Sequence, residues 1–418
     1  MFLGMQSDRH ALAGPRAGSP QTKARATVND GRVLLYVQHL LGIGHLKRAM
    51  TLARDLAVGG LEVTVASGGF EVPELAVEGI RMVQLPPLGA ADVTFKNLVG
   101  ATGVPIDDDW KRERREALLA AYHQVDPQVL LIELFPFGRR QMRFELLPLL
   151  ETAIGASRRP LIVSSVRDMA GGGQREPSRQ METVALVKRY FDRVLVHSDP
   201  ELIRFERTFA YADQIAEKLH YTGFVVEHGA GDKHDTEAGK DEVIVSAGGG
   251  AVGRVLLETA LHARPLSILA NRTWRLLMGI NASSADAAAI EALGSRIGGS
   301  RVVIERVRDD FTTLLRNCAV SISQAGYNTT MEILDAGARA VLVPFAGGSE
   351  TEQTLRATIL AEHGRLQVVE ESALTPEAMA AAIDRAARGP RPERGAIDLG
   401  GAGRSAVLLA QWIAERSR

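Results

Sequence analysis

Short, uninterrupted apolar runs recur along the chain, each of a length suited to a strand buried on both faces. In the first half they lie at residues 32–37, 61–66, 81–85, 128–132, 161–166, 193–197 and 220–222. In the second half they lie at 243–246, 266–270, 302–304, 319–322 and 340–343. Between them the apolar positions take helical spacing. Met50, Leu52, Ala53 and Leu56 mark one helix, and Met331, Ile333 and Leu334 mark another that begins at Tyr327. Further helices are expected at 110–124, after Arg140, at 179–190, 254–261, 354–363 and 376–387, with a final amphipathic helix at 403–416. One more is entered through 306–311. Strands alternating with helices predict parallel sheets covered on both faces. The polar, glycine-rich stretch 227–241 divides the series in two. The expected architecture is α/β, with two doubly wound domains at 31–223 and 241–402, a linker at 224–240 and a closing helix at 403–418. Residues 1–30 lack a central apolar block and read as a disordered tail, or as the product of a start codon placed too early, not as a secretory signal.

Ligands bind open parallel sheets at the carboxyl ends of the strands, so the turns there carry the candidate chemistry. After the first strand, the glycine loop Gly42-Ile43-Gly44 becomes a helix at His45. His45 either caps and packs that helix or acts on a ligand. Glu133 ends a later strand, where a carboxylate serves as a base or binds a sugar hydroxyl. Arg139 and Arg140 follow it as anion-binding candidates or as solvated surface. Arg167-Asp168 is either a plain salt bridge or part of the cleft lining. The irregular segment 93–109 has the length of a functional loop. The alternating charges of the helix at 110–124 read as a solvated face. In the second half, Gly248, Gly249 and Gly250 lead into a helix whose free N–H groups suit phosphates. No Gly-Lys-Ser/Thr follows, so this is not a P-loop. The stretch 321–332 repeats the device. A strand stops at Gln324-Ala325-Gly326, and Asn328, Thr329 and Glu332 lie in the first turns of the helix. That suits the phosphates and ribose of a nucleotide; taken alone, it is also an ordinary strand–turn–helix connection.

Composition adds exclusions. The 418 residues suit two domains, and 45% hydrophobic with 24% charged residues is ordinary for a globular protein. With 49 basic against 50 acidic side chains, the net charge of -1 gives no support for nucleic-acid binding. The single cysteine, Cys318, excludes a disulfide framework within one chain and fits a reducing cytoplasm. No apolar stretch approaches the roughly 18 residues of a spanning helix.

The pieces at 42–48, 248–253, 306–311, 326–332 and 344–353, in that order, resemble the GT-B glycosyltransferases. They look most like the group typified by MurG, with its family 28 C-terminal domain. The likeness is strongest over 323–337 with Val343-Pro344-Phe345 and Glu352-Gln353, and weaker in the first half. Residues 36–48, 133–140 and 165–168 look like a branch of bacterial glycosyltransferases predicted from sequence. The resemblance implies two Rossmann-like domains, an acceptor domain followed by a nucleotide-sugar donor domain. It implies that Glu332 binds the donor ribose and that Gly248, Gly249, Gly250, Gln324, Ala325, Gly326, Asn328 and Thr329 surround the phosphates. Val307 and Arg308 would read the base. Glu352 and Gln353 would contact the donor sugar, Gly44 would bind the donor, and His45 would face the reacting centre. Two departures stand out: Gly250 replaces the family's serine, and no arginine follows Thr222-Gly223. Arg139, Arg167 and Arg254 are the candidates for the missing charge.

These readings lead to an expected transfer of a sugar from a nucleotide diphosphate sugar, UDP-linked and UDP-GlcNAc-like, to an acceptor hydroxyl with inversion. The candidate bases are His45, then Glu133 and Asp168. No metal and no cofactor beyond the donor is expected, since Asp107-Asp108-Asp109 lies in the irregular segment and not at a strand end. The acceptor is left open among a lipid-linked carrier, a polysaccharide and a small metabolite, with a cytoplasmic location and peripheral contact with the inner membrane surface. A nucleotide-sugar hydrolase and a non-catalytic nucleotide-sugar-binding protein are the rival readings.

Overall fold

The computed structural model describes residues 31–40, 42–91, 97–171, 176–227, 237–248, 253–279, 282–306, 308–345 and 351–418. The chain begins with β1 (Arg32–Val37), α1 (Gly44–Val58), β2 (Glu62–Ser67) and β3 (Arg81–Gln84). A short antiparallel hairpin, β4 (Gly89–Ala90) with β5 (Leu98–Val99), leads to α2 (Asp108–Val125). Then come β6 (Val129–Glu133), α3 (Arg143–Gly155), β7 (Leu161–Arg167), α4 (Pro177–Tyr190), β8 (Arg193–His197) and β9 (Leu219–Tyr221). They form a seven-stranded sheet of order β3-β2-β1-β6-β7-β8-β9, parallel throughout.

The second series is β10 (Val243–Ser246), α5 (Arg254–Ala263), β11 (Trp274–Met278), α6 (Ser284–Gly298), β12 (Val302–Arg306), α7 (Phe311–Asn317) and β13 (Val320–Gln324). It continues through α8 (Tyr327–Ala336), β14 (Ala340–Val343), α9 (Glu352–Glu362), β15 (Gln367–Val368), α10 (Pro376–Arg388) and α11 (Gly401–Arg416). Its parallel sheet has the order β12-β11-β10-β13-β14-β15. In each sheet the order reverses direction beside the first strand, between β1 and β6 and between β10 and β13. Those two switch points are where crevices open.

β1 shows why the pattern works. Leu34 and Tyr36 point to one face with helices α2, α3 and α4, and Val33, Leu35 and Val37 to the other with α1. With β2 and β6 on either side, both its backbone edges are satisfied. The helix at 403–416 is not a free appendage: Ala406, Leu409, Trp412 and Ile413 of α11 complete the core between α1 and the first sheet. The chain therefore crosses between domains twice. The crossings lie side by side, with Phe224 N–H donating to Asp398 O (2.8 Å) and Gly401 N–H to Phe224 O (2.9 Å).

The sequence reading fails in four places. Residues 266–270 are not a strand: Arg264–Leu266 is a 3-10 turn, and Leu266 and Ile268 are more than half exposed. The strand is β11, further on, and α6 had no assigned pattern. Asp107-Asp108-Asp109 is not loose loop; Asp107 caps α2 by accepting from Trp110 N–H (2.8 Å). The face of α2 is not wholly solvated either. Arg114 is fully buried on Glu145, which also accepts from Tyr36 Oη (2.5 Å). Arg114 donates to Gln38 Oε1 as well (2.6 Å), and so fixes the start of the loop that leads to His45.

Candidate functional site

α1 has no side-chain cap, so its first N–H groups are free at the switch point of the first sheet. His45, in that first turn, sets its Nδ1 2.8 Å from Oε1 of Glu133 at the end of β6. Arg48, one turn on, donates Nη2 to the same oxygen. Burial pushes His45 down to about 3; the Glu133 carboxylate opposes this, and Arg139 and Arg167 reinforce it. Burial would raise the Glu133 carboxyl, but the neighbouring His45 and Arg48 bring it well below the usual carboxylate range. The pair is then a neutral imidazole beside an ionised carboxylate. The hydrogen-bond pattern assigns Nδ1–H to Glu133, which leaves Nε2 with its lone pair toward the cleft.

Across the cleft, β13 ends at Gln324 and α8 starts at Tyr327, again without a side-chain cap. The N–H groups of Tyr327, Asn328 and Thr329 have no partner within the helix, and they carry the positive end of its dipole. A side chain at Gly326 would meet no atom within 4 Å, so this turn lies open to a ligand. Gly248, at the end of β10, takes a left-handed conformation (φ +69°) beside Gln324. Both sides line one cavity of about 280 Å³, which takes in Gly44, His45, Arg48, Arg167, Gly248, Gln324, Gly326, Tyr327, Asn328, Thr329, Phe345 and Gln353. Gln353 Oε1 accepts from Phe345 N–H (3.2 Å) at its edge. Asn328 Nδ2 reaches Gly44 O (3.2 Å) and ties the two helix starts together. Gly249, Gly250 and Val307 lie outside the described residues.

Other expected site residues are held between the domains. Glu332 faces a smaller side cavity and accepts from Lys47 Nζ of α1 (2.7 Å). Burial raises its carboxyl above the usual range, and Lys47 opposes the shift. Glu352 accepts from Arg167 (2.6 Å). Asp168 is fully buried, and Arg356 engages both its oxygens at 2.6 and 2.8 Å. That corrects Asp168 as a candidate base: it has no open edge for a substrate proton. Ala325 is buried, and its carbonyl also accepts from Arg356 (3.4 Å). Of the candidate cations, Arg254 is paired with Glu258 and Asp286 outside this cavity, and Arg308 is clamped by Asp310. Arg140 is paired with Glu182. Arg139 donates to Gln38 O (3.0 Å).

Lys47, Arg48, Tyr327 and Arg356 were missed as site residues. Lys47 and Arg48 follow His45 directly, and that adjacency was the available signal. Tyr327 lies between two guanidinium groups, with Arg48 5.7 Å and Arg356 5.3 Å from its ring centroid. Its hydroxyl accepts from Val225 N–H of the crossing segment (3.1 Å). No local pattern pairs α9 with α8 and β7 in this way.

Residues 244–395 match the profile of the glycosyltransferase family 28 C-terminal domain. Curated relatives carry the name UDP-N-acetylglucosamine--N-acetylmuramyl-(pentapeptide) pyrophosphoryl-undecaprenol N-acetylglucosamine transferase. The protein of Thiobacillus denitrificans is 40% identical over 80 residues, 18% of this chain and 22% of that one. That of Methylibium petroleiphilum is 33% identical over 139 residues, 33% of this chain and 37% of that one. These matches span well under half the length of those two relatives. The protein of Sphingopyxis alaskensis is 24% identical over 355 residues, 83% of this chain and 81% of that one. Among solved structures, the glycotransferase of kitacinnamycin superposes with a TM-score of 0.60 at 16% identity, covering 92% of this chain and 99% of that one. MurG of Acinetobacter baumannii superposes with a TM-score of 0.57 at 16% identity, covering 91% and 99%. Both likenesses concern the fold. The chain thus has the GT-B fold over most of its length and carries a glycosyltransferase family 28 C-terminal domain at residues 244–395.

Proposed function

We propose that the protein transfers a sugar from a nucleotide diphosphate sugar, UDP-linked and UDP-GlcNAc-like, to an acceptor hydroxyl, with inversion and without a metal. The observation that carries the reading is that His45, oriented by Glu133, lines the same cavity as the free N-terminus of α8. The acceptor O–H gives its proton to His45 Nε2 while its oxygen forms the new bond to the anomeric carbon. The bond from that carbon to the phosphate oxygen breaks, and its electron pair leaves with the nucleoside diphosphate. The N–H groups of α8 are suited to the charge that develops there. Glu133 keeps the imidazole in the needed tautomer and steadies the imidazolium that forms. The acceptor class that the relatives' printed name favours is a lipid-linked pyrophosphate, reached from the cytoplasmic surface of the membrane. Among the described residues no helix is long and apolar enough to cross one.

The test uses His45→Ala with UDP-GlcNAc and a lipid-linked pyrophosphoryl acceptor. UDP release is expected to fall by about 10²–10⁴-fold, while UDP binding by calorimetry stays within a small factor of the parent. Unchanged turnover would remove His45 as the base. Free sugar formed in proportion to UDP, with no acceptor present, would replace transfer by hydrolysis.

A further inference from the structure

Arg48 has a donor group that the site as described does not use. Its side chain is 3% exposed and lies between the main cavity and the side cavity that holds Lys47 and Glu332. Nη2 is committed to Glu133. Nη1 is buried and has no hydrogen-bond partner among the described residues. A buried guanidinium with an unmet donor is costly unless something fills the place. Among the described residues no carboxylate meets Nη1: Glu133 takes Arg48 through Nη2 and leaves its own Oε2 without a partner, Asp168 is held by Arg356, and Glu352 by Arg167. Around this part of the cleft four cations, Arg48, Arg139, Arg167 and Arg356, face three carboxylates, Glu133, Asp168 and Glu352. The N-terminus of α8 adds further positive potential. The ligand that completes this arrangement is an anion.

We infer that Arg48 is the diphosphate-binding cation of this chain, donating Nη1 to the donor's phosphate oxygens from the first domain while α8 binds them from the second. The inference rests on the nucleotide-sugar reading above and names the residue that stabilises its leaving group. One guanidinium then touches both the carboxylate that orients the base and the oxygens that receive the bonding electrons. The diphosphate also bridges the domains, since Arg48 belongs to α1 and its other donors to α8.

The experiment titrates uridine, UMP, UDP and inorganic pyrophosphate into the full chain and into Arg48→Gln and Arg48→Lys, with melting temperatures measured alongside. The parent is expected to bind UDP more tightly than UMP and uridine, and to bind pyrophosphate in competition with UDP. Arg48→Gln is expected to lose about tenfold or more in affinity for UDP and pyrophosphate, with uridine affinity unchanged; Arg48→Lys falls between. Should Arg48→Gln fail to fold, the Lys variant, which keeps a charge beside Glu133 but not the fork, carries the comparison. An equal loss for all ligands, tracking the melting temperature, shows a structural role and overturns the inference. So does a parent that ignores pyrophosphate. If UDP-sugars fail to bind while pyrophosphate binds in an Arg48-dependent way, the donor reading falls and the role of Arg48 stands.

Discussion

In the proposed transfer His45 acts through its basicity. An ordinary histidine titrates near 6.5, so a base of that kind loses activity as the pH falls through that value. Here burial brings the imidazole down to about 3, so it stays neutral at any pH near neutrality. The sign is simple: only the protonated form is inactive, and that form accumulates near the lowered value. Turnover is expected to show no acid limb from His45 between pH 8 and 5. A kcat profile measured over that range checks it, and a limb with its midpoint near 6.5 would sink the assignment. Glu133, 2.8 Å away, already opposes that lowering, and it is the group placed to steady the imidazolium as the proton arrives.

At the scale of elements, β7 and α9 meet through four charges in two pairs. Arg167 ends the strand and Asp168 follows it; Glu352 and Arg356, one helical turn apart, pair with them in that order. Asp168 and Arg356 are 0% and 1% exposed, so removing one charge strands the other in a dry place. Asp168→Asn is expected to cost about 3–5 kcal/mol in denaturant unfolding, whereas replacing both partners by apolar residues of similar volume costs far less. A single-variant loss under about 1 kcal/mol would show that water reaches the pair.

The strand ends and helix starts that make the cleft were legible in the chain, because β1, β10 and β14 are apolar runs followed by glycine or a helical pattern. So was the gathering of His45, Gly248, Gln324, Gly326, Asn328, Thr329 and Gln353 at the carboxyl edges. What was not legible depends on distant partners. Trp274–Met278 was assigned no element; Arg275 interrupts its apolar run, and Glu242 and Glu305 on either side pair with that arginine at 2.6–2.9 Å. Residues 266–270 looked more apolar, yet their flanking Pro265 turn and the bonds from Ser267 and Ile268 to Asp384 keep them at the surface. Glu332 was read as a ligand contact from its helical turn and the family resemblance, and Glu352 from the resemblance alone; their ion pairs come from residues more than a hundred positions earlier.

For the whole molecule, the decisive element is α11. It begins in the second crossing, beside Phe224 and Val225, and ends against α1. Leu409, Trp412 and Ile413 bury their side chains in a core otherwise made by the first 225 residues. Deleting residues 401–418 uncovers that face, and at 1.5–3 kcal/mol for each large apolar side chain three such losses rival the ~5–15 kcal/mol that hold a domain together. The truncated chain is expected to lose its cooperative unfolding transition for the first domain and to bind a hydrophobic dye. An unchanged transition would mean that α1 does not need its cover.

The same helix puts a delay into the making of the protein. Domains generally fold in order as the chain emerges, at about 5–20 residues per second. The first sheet is complete once Tyr221 has been added, yet its last covering helix ends at Arg416, roughly 195 residues later. For about 10–40 s at that pace a nascent chain carries a finished sheet with the apolar flank of α1 open to water. The first domain is closed only when residues 401–416 pack against α1.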